Sequence, residues 1–353
     1  MKRNVLLCVL ALCVSMLVLF SFLIFGCGTN PTSGGGGGGG VGALWIYCGN
    51  NTDQTISIIE GATNTVTGSI EVPGDPTWLA AAPDGKHIYC LAGTTNDVYA
   101  INTATNTLET VYSVSGTCGP YDNAAVSADN NFLYVVRYGA TDLFKLNLVT
   151  GTEESVSVPN NPYYLALSAD RKTAYIPVWG NQVQVVSLET LSMHSISAQT
   201  DQPSEWEIAA AVQNNKLYMT LQGAKECLEI DLASEIVTNV LTTDASTLMG
   251  IVSIPGTNTL YASNAEYAGE IRIIDSNTPT FESTKITGDS SFKGPANMAV
   301  TDDGSKVYVF DWSKSQGQVV MISTIARTIE AYIPVGNCGG SGYKIHNPVV
   351  IYK

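Results

Sequence analysis

The fold is decided by the stretch Pro83-Asp84-Gly85-Lys86-His87-Ile88-Tyr89 and the stretch that follows it, Val98-Tyr99-Ala100-Ile101-Asn102-Thr103-Ala104-Thr105-Asn106-Thr107. In both, an apolar string adjoins a cluster of turn residues. Asp-Gly pairs and Asn-rich clusters between apolar runs favour hairpins, because these residues tolerate positive φ. The two stretches therefore predict neighbouring antiparallel strands.

The same pattern recurs along the chain at intervals of about 43 residues, which indicates a repeat architecture. Its marker is a tyrosine in an apolar string, here called the anchor tyrosine. The anchors are Tyr47, Tyr89, Tyr134, Tyr175, Tyr218, Tyr261 and Tyr308. Each unit supplies four strand-like runs, and such units arranged around an axis form a β-propeller. The stretches 205–212 and 224–237 read as helical in isolation, but their phase in the repeat assigns them to strands.

The two ends of the repeat region complement each other. Residues 347–352 match the first strand of a unit, such as 161–166, whereas residues 43–48 match a second strand. The C-terminal strand should therefore complete the N-terminal blade, and this closure removes open sheet edges. Further units begin near Pro76, Pro120, Pro162, Glu205, Leu248 and Pro295. We predict an all-β, seven-bladed propeller of four-stranded antiparallel blades over residues 41–353.

The repeat resembles a known family. The Pro…Asp-Gly-Lys…Ile-Tyr string and the Thr63-Asn64-Thr65 and Thr105-Asn106-Thr107 turns are similar to the YVTN-type β-propeller repeat. The resemblance implies the fold. The family spans surface-layer proteins, secreted binding proteins and lactonase-like sequences, so the resemblance leaves the function open.

The N-terminus predicts export and membrane attachment. Lys2 and Arg3 precede an uncharged apolar run over residues 5–25, which is typical of a signal peptide over residues 1–26. Ile24-Phe25-Gly26-Cys27 resembles the bacterial lipobox, which implies lipidation of Cys27. The alternative is an uncleaved anchor, because the run is long enough to span a bilayer. Residues 27–40 form a Gly-rich tether. Both readings place the rest of the chain outside the cytoplasm, as a membrane-anchored protein on the periplasmic side or the cell surface.

Composition limits the partners. Charged residues make up 14% of the chain and hydrophobic residues 45%, which excludes a disordered chain and a coiled coil. The 17 basic and 31 acidic residues give a net charge of -14, so the chain lacks the basic surface that binds nucleic acid. The expected partners are the membrane, through the lipid anchor, and an unidentified protein or extracellular polymer. No cofactor is predicted.

The repeat phase locates a candidate binding face at one end of the axial channel. The positions eleven residues before the anchor tyrosines should surround its mouth, and the positions three to four residues after them should form the rim. With Trp206, which adjoins the ring, these positions predict the ligand-binding residues Trp78, Asn123, Arg137, Tyr138, Tyr164, Trp179, Trp206, Glu207, Asn297, Asp311 and Trp312. Aromatic bodies with polar tips at a concave mouth suit a ligand site. The alternative is that the aromatics only cap the blade ends.

Evidence for catalysis in the sequence is weak. His87, His194 and His346 occur at different phases of the repeat and are interpreted as structural or solvated. No Gly-x-Ser-x-Gly, P-loop or His-Glu-x-x-His string is present. Asn123, Glu207 and Asn297 offer oxygen ligands for a hard cation such as calcium, in faint resemblance to the axial site of gluconolactonase-type propellers. Three hypotheses follow: a non-enzymatic binding module, a lactonase-like hydrolase with Glu207 as base or metal ligand, and a structural cell-surface protein.

Five cysteines lie in the repeat region. Cys48 and Cys90 occupy equivalent positions in neighbouring blades, and stacked sheets lie about 10 Å apart, beyond disulfide reach. Cys118 and Cys338 lie in loops that enter innermost strands, so they are the candidate disulfide pair. The alternative is five separate thiols.

Overall fold

The computed structural model describes residues 42–116, 119, 122–198, 206–245, 247–265, 269–313, 315–338 and 347–353, with only the backbone at 206–208 and 222. The first strands in chain order are β1 (Leu44–Asn50), β2 (Thr55–Glu60), β3 (Thr65–Glu71), β4 (Pro76–Ala81), β5 (His87–Ala92), β6 (Asp97–Asn102), β7 (Thr107–Ser113), β8 (Asn123–Val126), β9 (Phe132–Arg137), β10 (Asp142–Asn147), β11 (Glu153–Ser157), β12 (Ala166–Leu167), β13 (Thr173–Val178), β14 (Gln182–Ser187) and β15 (Met193–Ser197). The remaining strands are β16 (Trp206–Gln213), β17 (Lys216–Gln222), β18 (Glu226–Asp231), β19 (Ile236–Thr242), β20 (Leu248–Ser253), β21 (Thr259–Asn264), β22 (Glu270–Asp275), β23 (Thr280–Thr287), β24 (Pro295–Val300), β25 (Lys306–Asp311), β26 (Gln316–Ser323), β27 (Thr328–Asn337) and β28 (Pro348–Tyr352).

These strands form seven four-stranded antiparallel sheets, which confirms the predicted propeller. Blade 1 has the order β28-β1-β2-β3, and blades 2 to 7 follow in chain order from β4–β7 to β24–β27. Strands β16, β18 and β19 occupy the stretches that read as helical in isolation, so the repeat phase was the correct guide there. Within the described residues, no helix has the length and apolar character needed to cross a bilayer.

Blade 1 closes as predicted. The C-terminal β28 pairs with β1 from Leu44↔Tyr352 to Cys48↔Pro348. Beyond the ladder, the Ala43 N–H donates to the Lys353 carbonyl at 2.7 Å, and the Lys353 N–H donates back at 3.1 Å. The Lys353 ammonium lies 4.6 Å from the centroid of the Trp45 ring and donates to the Tyr47 hydroxyl at 2.8 Å. The C-terminal residue therefore secures the closing strand by backbone and side-chain contacts.

Burial explains the order of strands within a blade. The innermost strands β4, β20 and β24 are buried at every position, whereas an outermost strand such as β19 alternates between exposed and partly exposed positions and has one buried residue. A strand packed on both faces requires a continuous run of small or apolar residues, and an outer strand needs apolar residues on one face only. The hydrophobic core therefore lies between blades.

The loops fall on two opposite faces. The upper face, as defined here, carries the loops that lead into the innermost strands and the loops that join second to third strands. The lower face carries the turns that join first to second strands and third to fourth strands. Ala43 and Lys353 both lie at the lower ends of their strands. The predicted binding residues belong to the upper face.

Candidate functional site at the upper face

Two of the predicted ring residues meet near the axis. Trp78 of blade 2 and Tyr164 of blade 4 form an edge-to-face pair with ring centroids 6.2 Å apart. The Trp78 Nε1–H donates to the Ala124 carbonyl of blade 3 at 3.0 Å, and only 1% of Trp78 is exposed. These two ring positions therefore lie close together, but their aromatic side chains fill the space between blades and do not line an open mouth.

The other described ring positions are also buried. Asn123, Asn297 and Val350 each expose less than a tenth of their surface. A Cβ added at Gly250 would lie 2.7 Å from the Ala296 carbonyl oxygen, so the backbones of β20 and β24 pack directly against each other there. This close approach leaves no room for a ligand group between the two innermost strands.

The structure leaves the metal and catalytic predictions as predictions. Within the part of the chain it describes, no three His, Cys, Asp or Glu side chains come together in a group that could hold a metal ion. The backbone of Glu207 in β16 pairs with that of Leu221 in β17, but the side chains of Trp206 and Glu207 lie outside the described residues.

Arg137 and Asp311, predicted at the rim, lie beneath it. Asp311 is buried and accepts hydrogen bonds from the backbone N–H groups of Lys293 at 3.1 Å and Gly294 at 2.9 Å, and from Gln318 Nε2 at 2.9 Å. Arg137 donates from Nε to Asp142 Oδ1 at 2.8 Å and from Nη2 to the same carboxylate. Both charged side chains therefore hold loops in place, a role that the repeat phase does not reveal.

The exposed aromatic surface is smaller than predicted. Trp179 is 53% exposed, and its backbone N–H is fixed to the Asn160 carbonyl at 2.6 Å. Tyr138 is partly exposed and packs against Tyr163, a buried residue beneath it, with ring centroids 5.0 Å apart. Tyr163 lies next to the bridge between Pro162 and Val178, the residue before Trp179. We call Tyr138, Tyr163 and Trp179 the upper aromatic patch. Trp312, also partly exposed, belongs to blade 7, away from this patch.

Asp122 is a feature that the sequence analysis missed. Its buried carboxylate accepts the Gly119 N–H at 2.6 Å and the Tyr138 N–H at 3.1 Å, so it fixes the loop that carries Tyr138. In blades 2 and 6 a backbone carbonyl accepts the corresponding bond, from Gly93 and Ala265. Burial raises the pKa of Asp122 to about 7. A signal was present, because the positions preceding the other ring residues are uncharged.

This raised pKa predicts a pH dependence of stability. The unfolded chain ionises Asp122 near pH 4 and the folded chain only near pH 7, so unfolding becomes easier as pH rises between these values. As pH rises across that window, ionisation of Asp122 should lower the free energy of unfolding by up to about 4 kcal/mol. The measurement is urea denaturation at pH 4.5 and at pH 8. We expect the free energy of unfolding to fall less between these two pH values in Asp122→Asn than in the wild type.

Asp129 provides the control, because hydrogen bonds from Ser127 and Asn131 outweigh its desolvation and lower its pKa. A carboxylate of that kind stabilises the fold at high pH and loses its contribution as pH falls. Its contribution changes only below about pH 4, so Asp129→Asn should leave the difference in stability between pH 4.5 and pH 8 as it is in the wild type. If the free energy of unfolding changed equally with pH in the wild type and in Asp122→Asn, the raised pKa of Asp122 would be contradicted.

The structure describes some of the cysteines and histidines named above and not others. Cys48 and Cys90 pack in separate core clusters, as expected for neighbouring blades. Cys118 and His346 lie outside the described residues, so the Cys118–Cys338 pair stays a prediction. Cys338 and Cys48 both contact the Gly49 carbonyl at 3.9 Å. His87 and His194 pair with Glu109 and Glu235 at 2.9 and 2.8 Å on partly exposed strands, positions that fit a structural role.

Comparisons with known proteins agree with this architecture. No curated protein matches the chain. Among solved structures it is similar to hydrazine synthase of Kuenenia stuttgartiensis, with 17% identity over 79% of this chain and 95% of that chain and a TM-score of 0.64. It is also similar to the dihydro-heme d1 dehydrogenase NirN in complex with DHE, with 13% identity over 85% and 75% of the two chains and a TM-score of 0.57.

A third similar structure is a functionally unknown protein from Desulfotomaculum acetoxidans DSM 771, with 11% identity over 87% of this chain and 99% of that chain and a TM-score of 0.70. At these identities the likeness shows the fold alone. Residues 46–157, from β1 to the end of β11, match the family described as "Lactonase, 7-bladed beta-propeller". The chain is thus a seven-bladed β-propeller, and its first three blades are similar to the lactonase seven-bladed propeller family.

Proposed function

We propose that the protein is a binding module outside the cytoplasm that holds an extracellular polymer at the upper aromatic patch. The observation that carries the proposal is Trp179, a large aromatic side chain that is 53% exposed on a backbone fixed by hydrogen bonding. Exposed aromatic residues on a rigid scaffold are enriched at binding surfaces, because they bury much area at little cost in conformational entropy. Asp122 supports the patch from below by fixing the Tyr138 backbone.

The direction of the chain ends supports the same proposal. Ala43 and Lys353 are hydrogen bonded to each other at the lower face. If the segment before Ala43 attaches the protein to a membrane, as the lipobox at Cys27 predicts, the lower face adjoins that attachment. The upper aromatic patch then points away from the membrane, where a polymer is accessible.

The test is cosedimentation of the purified protein with insoluble chitin, cellulose and peptidoglycan. We expect binding to at least one polymer and a loss of affinity of about tenfold or more for Trp179→Ala. The matched control is Ile325→Ala, which removes an 87% exposed apolar side chain from a lower-face turn and should leave binding unchanged. The proposal fails if none of the three polymers sediments the protein, or if both variants bind like the wild type.

A second candidate function is lactone hydrolysis, favoured by the match of residues 46–157 to the lactonase propeller family. Glu207 is the residue predicted for the base or metal ligand. The test is hydrolysis of a panel of aliphatic and sugar lactones by the wild type and Glu207→Gln. Activity that Glu207→Gln abolishes would support an enzyme, and a wild type inactive on the whole panel would contradict it.

A further inference from the structure

A lower-face turn of blade 4 contains an unusual residue. Arg171 adopts φ +57, and its backbone N–H donates to the Ser168 carbonyl at 2.8 Å. The turns of blades 2, 3 and 7 close with the same backbone bond and place Gly85, Asn130 and Gly304 at this position, all at positive φ. Glycine and asparagine tolerate this conformation, whereas a long side chain is strained in it. Across the ranges that the structure describes, five other long side chains, among them Arg327, also adopt positive φ, so the surroundings of the Arg171 guanidinium decide whether it has a function.

The Arg171 guanidinium has buried donors without acceptors. Its Nε and Nη2 are buried and make no hydrogen bond within the described part of the chain. In Arg137 the same two nitrogens form a fork that holds both carboxylate oxygens of Asp142. Two parallel N–H groups in a guanidinium match the two oxygens of a carboxylate or phosphate. Arg171 therefore presents, without a protein partner, the geometry that binds an oxyanion elsewhere in this molecule.

Within the described residues, Arg171 forms no ion pair with an acidic side chain. The carboxylate of Asp170, its neighbour in sequence, accepts hydrogen bonds from Ser168 Oγ at 2.6 Å and from the Lys172 N–H at 3.1 Å. Burial lowers the pKa of Arg171 to about 10, so the group still carries its charge at neutral pH. A buried charge without a counter-charge destabilises a fold. An anion that binds there would remove this cost.

The equivalent turns indicate where the side chain starts. A Cβ built at Gly304 would lie 2.6 Å from the Pro255 carbonyl oxygen, and one at Gly85 would lie 3.0 Å from the Tyr352 carbonyl oxygen. In blade 3 the Asn130 side chain accepts the Asp84 N–H at 3.3 Å. In each case the position faces the preceding blade. By this equivalence Arg171 extends from blade 4 toward the lower-face turn of blade 3.

We propose that Arg171 is the centre of an oxyanion-binding site on the lower face, between blades 3 and 4. Its ligand class is a small anion that offers two oxygens to one guanidinium, such as a carboxylate or a phosphate. This site lies on the face opposite the upper aromatic patch and is independent of the polymer-binding proposal.

The test is thermal unfolding of the purified protein at constant ionic strength in sodium chloride, sodium phosphate and sodium acetate. Phosphate or acetate should raise the Tm of the wild type by about 2 °C relative to chloride at ligand concentrations well above the dissociation constant. Arg171→Asn should show no such rise. In chloride, Arg171→Asn should melt above the wild type, because it removes both the strain and the buried charge.

Arg327 supplies a matched control. It also adopts positive φ, +56, in a lower-face turn, but its guanidinium is paired with Glu282 at 2.6 Å. Arg327→Asn removes the same charge from the same backbone conformation and should keep the wild-type response to phosphate or acetate. The proposal is overturned if the wild type responds to neither anion, if Arg171→Asn responds as the wild type does, or if Arg171→Asn melts below the wild type in chloride.

Discussion

Trp78→Ala is expected to lower the free energy of unfolding by about 3–5 kcal/mol. The indole is 99% buried, packs edge-to-face on Tyr164 and donates to the Ala124 carbonyl. Its removal leaves a cavity between blades 2, 3 and 4, and a hydrogen-bond acceptor without its donor. Urea denaturation followed by far-ultraviolet circular dichroism measures the change.

Trp179→Ala is the control for this result. Trp179 is more than half exposed, so its loss should change the unfolding free energy by no more than about 0.5 kcal/mol. The two tryptophans thus separate stability from binding: Trp78 should affect the first and Trp179 the second. A Trp78→Ala variant as stable as the wild type would show that Trp78 does not hold the blades together.

Deletion of residues 348–353 is expected to abolish the cooperative unfolding transition. The deletion removes the buried side chains of Val349, Val350 and Ile351 and leaves one edge of β1 unpaired. At about 1.5–3 kcal/mol for each buried aliphatic side chain, the loss is comparable to the whole stability of a typical domain, about 5–15 kcal/mol. An unpaired central edge also favours aggregation. Calorimetry and size-exclusion chromatography measure both effects.

Lys353→Ala is the matched control for the deletion. It keeps the β1–β28 ladder and removes the contacts of the ammonium with Trp45, Tyr47, the Thr103 carbonyl and the Asn106 side chain. We expect a loss of about 1–2 kcal/mol and a sharp transition. A truncated protein that still unfolds cooperatively near the wild-type Tm would mean that blade 1 does not need its C-terminal strand.

The fold could be predicted from the sequence because the same pattern recurs seven times along the chain. The anchor tyrosines fix the second strand of each blade, and the match between residues 347–352 and 161–166 identifies the closing strand. Local propensity was the weaker guide, as β16 and β18 show. The packing between blades decides their conformation, so the phase of the repeat carried more information than the residues alone.

The candidate site was harder to predict because phase gives the position of a Cα atom and not the surroundings of its side chain. Trp78 reaches the axial region as expected, but its size fills that region. Arg137 and Asp311 find partners in irregular loops, which the repeat does not describe. Asp122 bonds to Gly119 and Tyr138, a pairing set by one blade alone. Cys27 and the side chains of Trp206 and Glu207 lie outside the described residues, so their roles stay predictions.

The paired hydrogen bonds between Ala43 and Lys353 have a consequence for the order of the chain. Adjacent ends at the surface of a domain tolerate circular permutation, because a short linker can join them without disturbing the core. A permuted gene could therefore begin at another interblade loop and place β28 directly before β1. In such a protein blade 1 would be one continuous segment, and the closure between the first and last residues would move to a different blade.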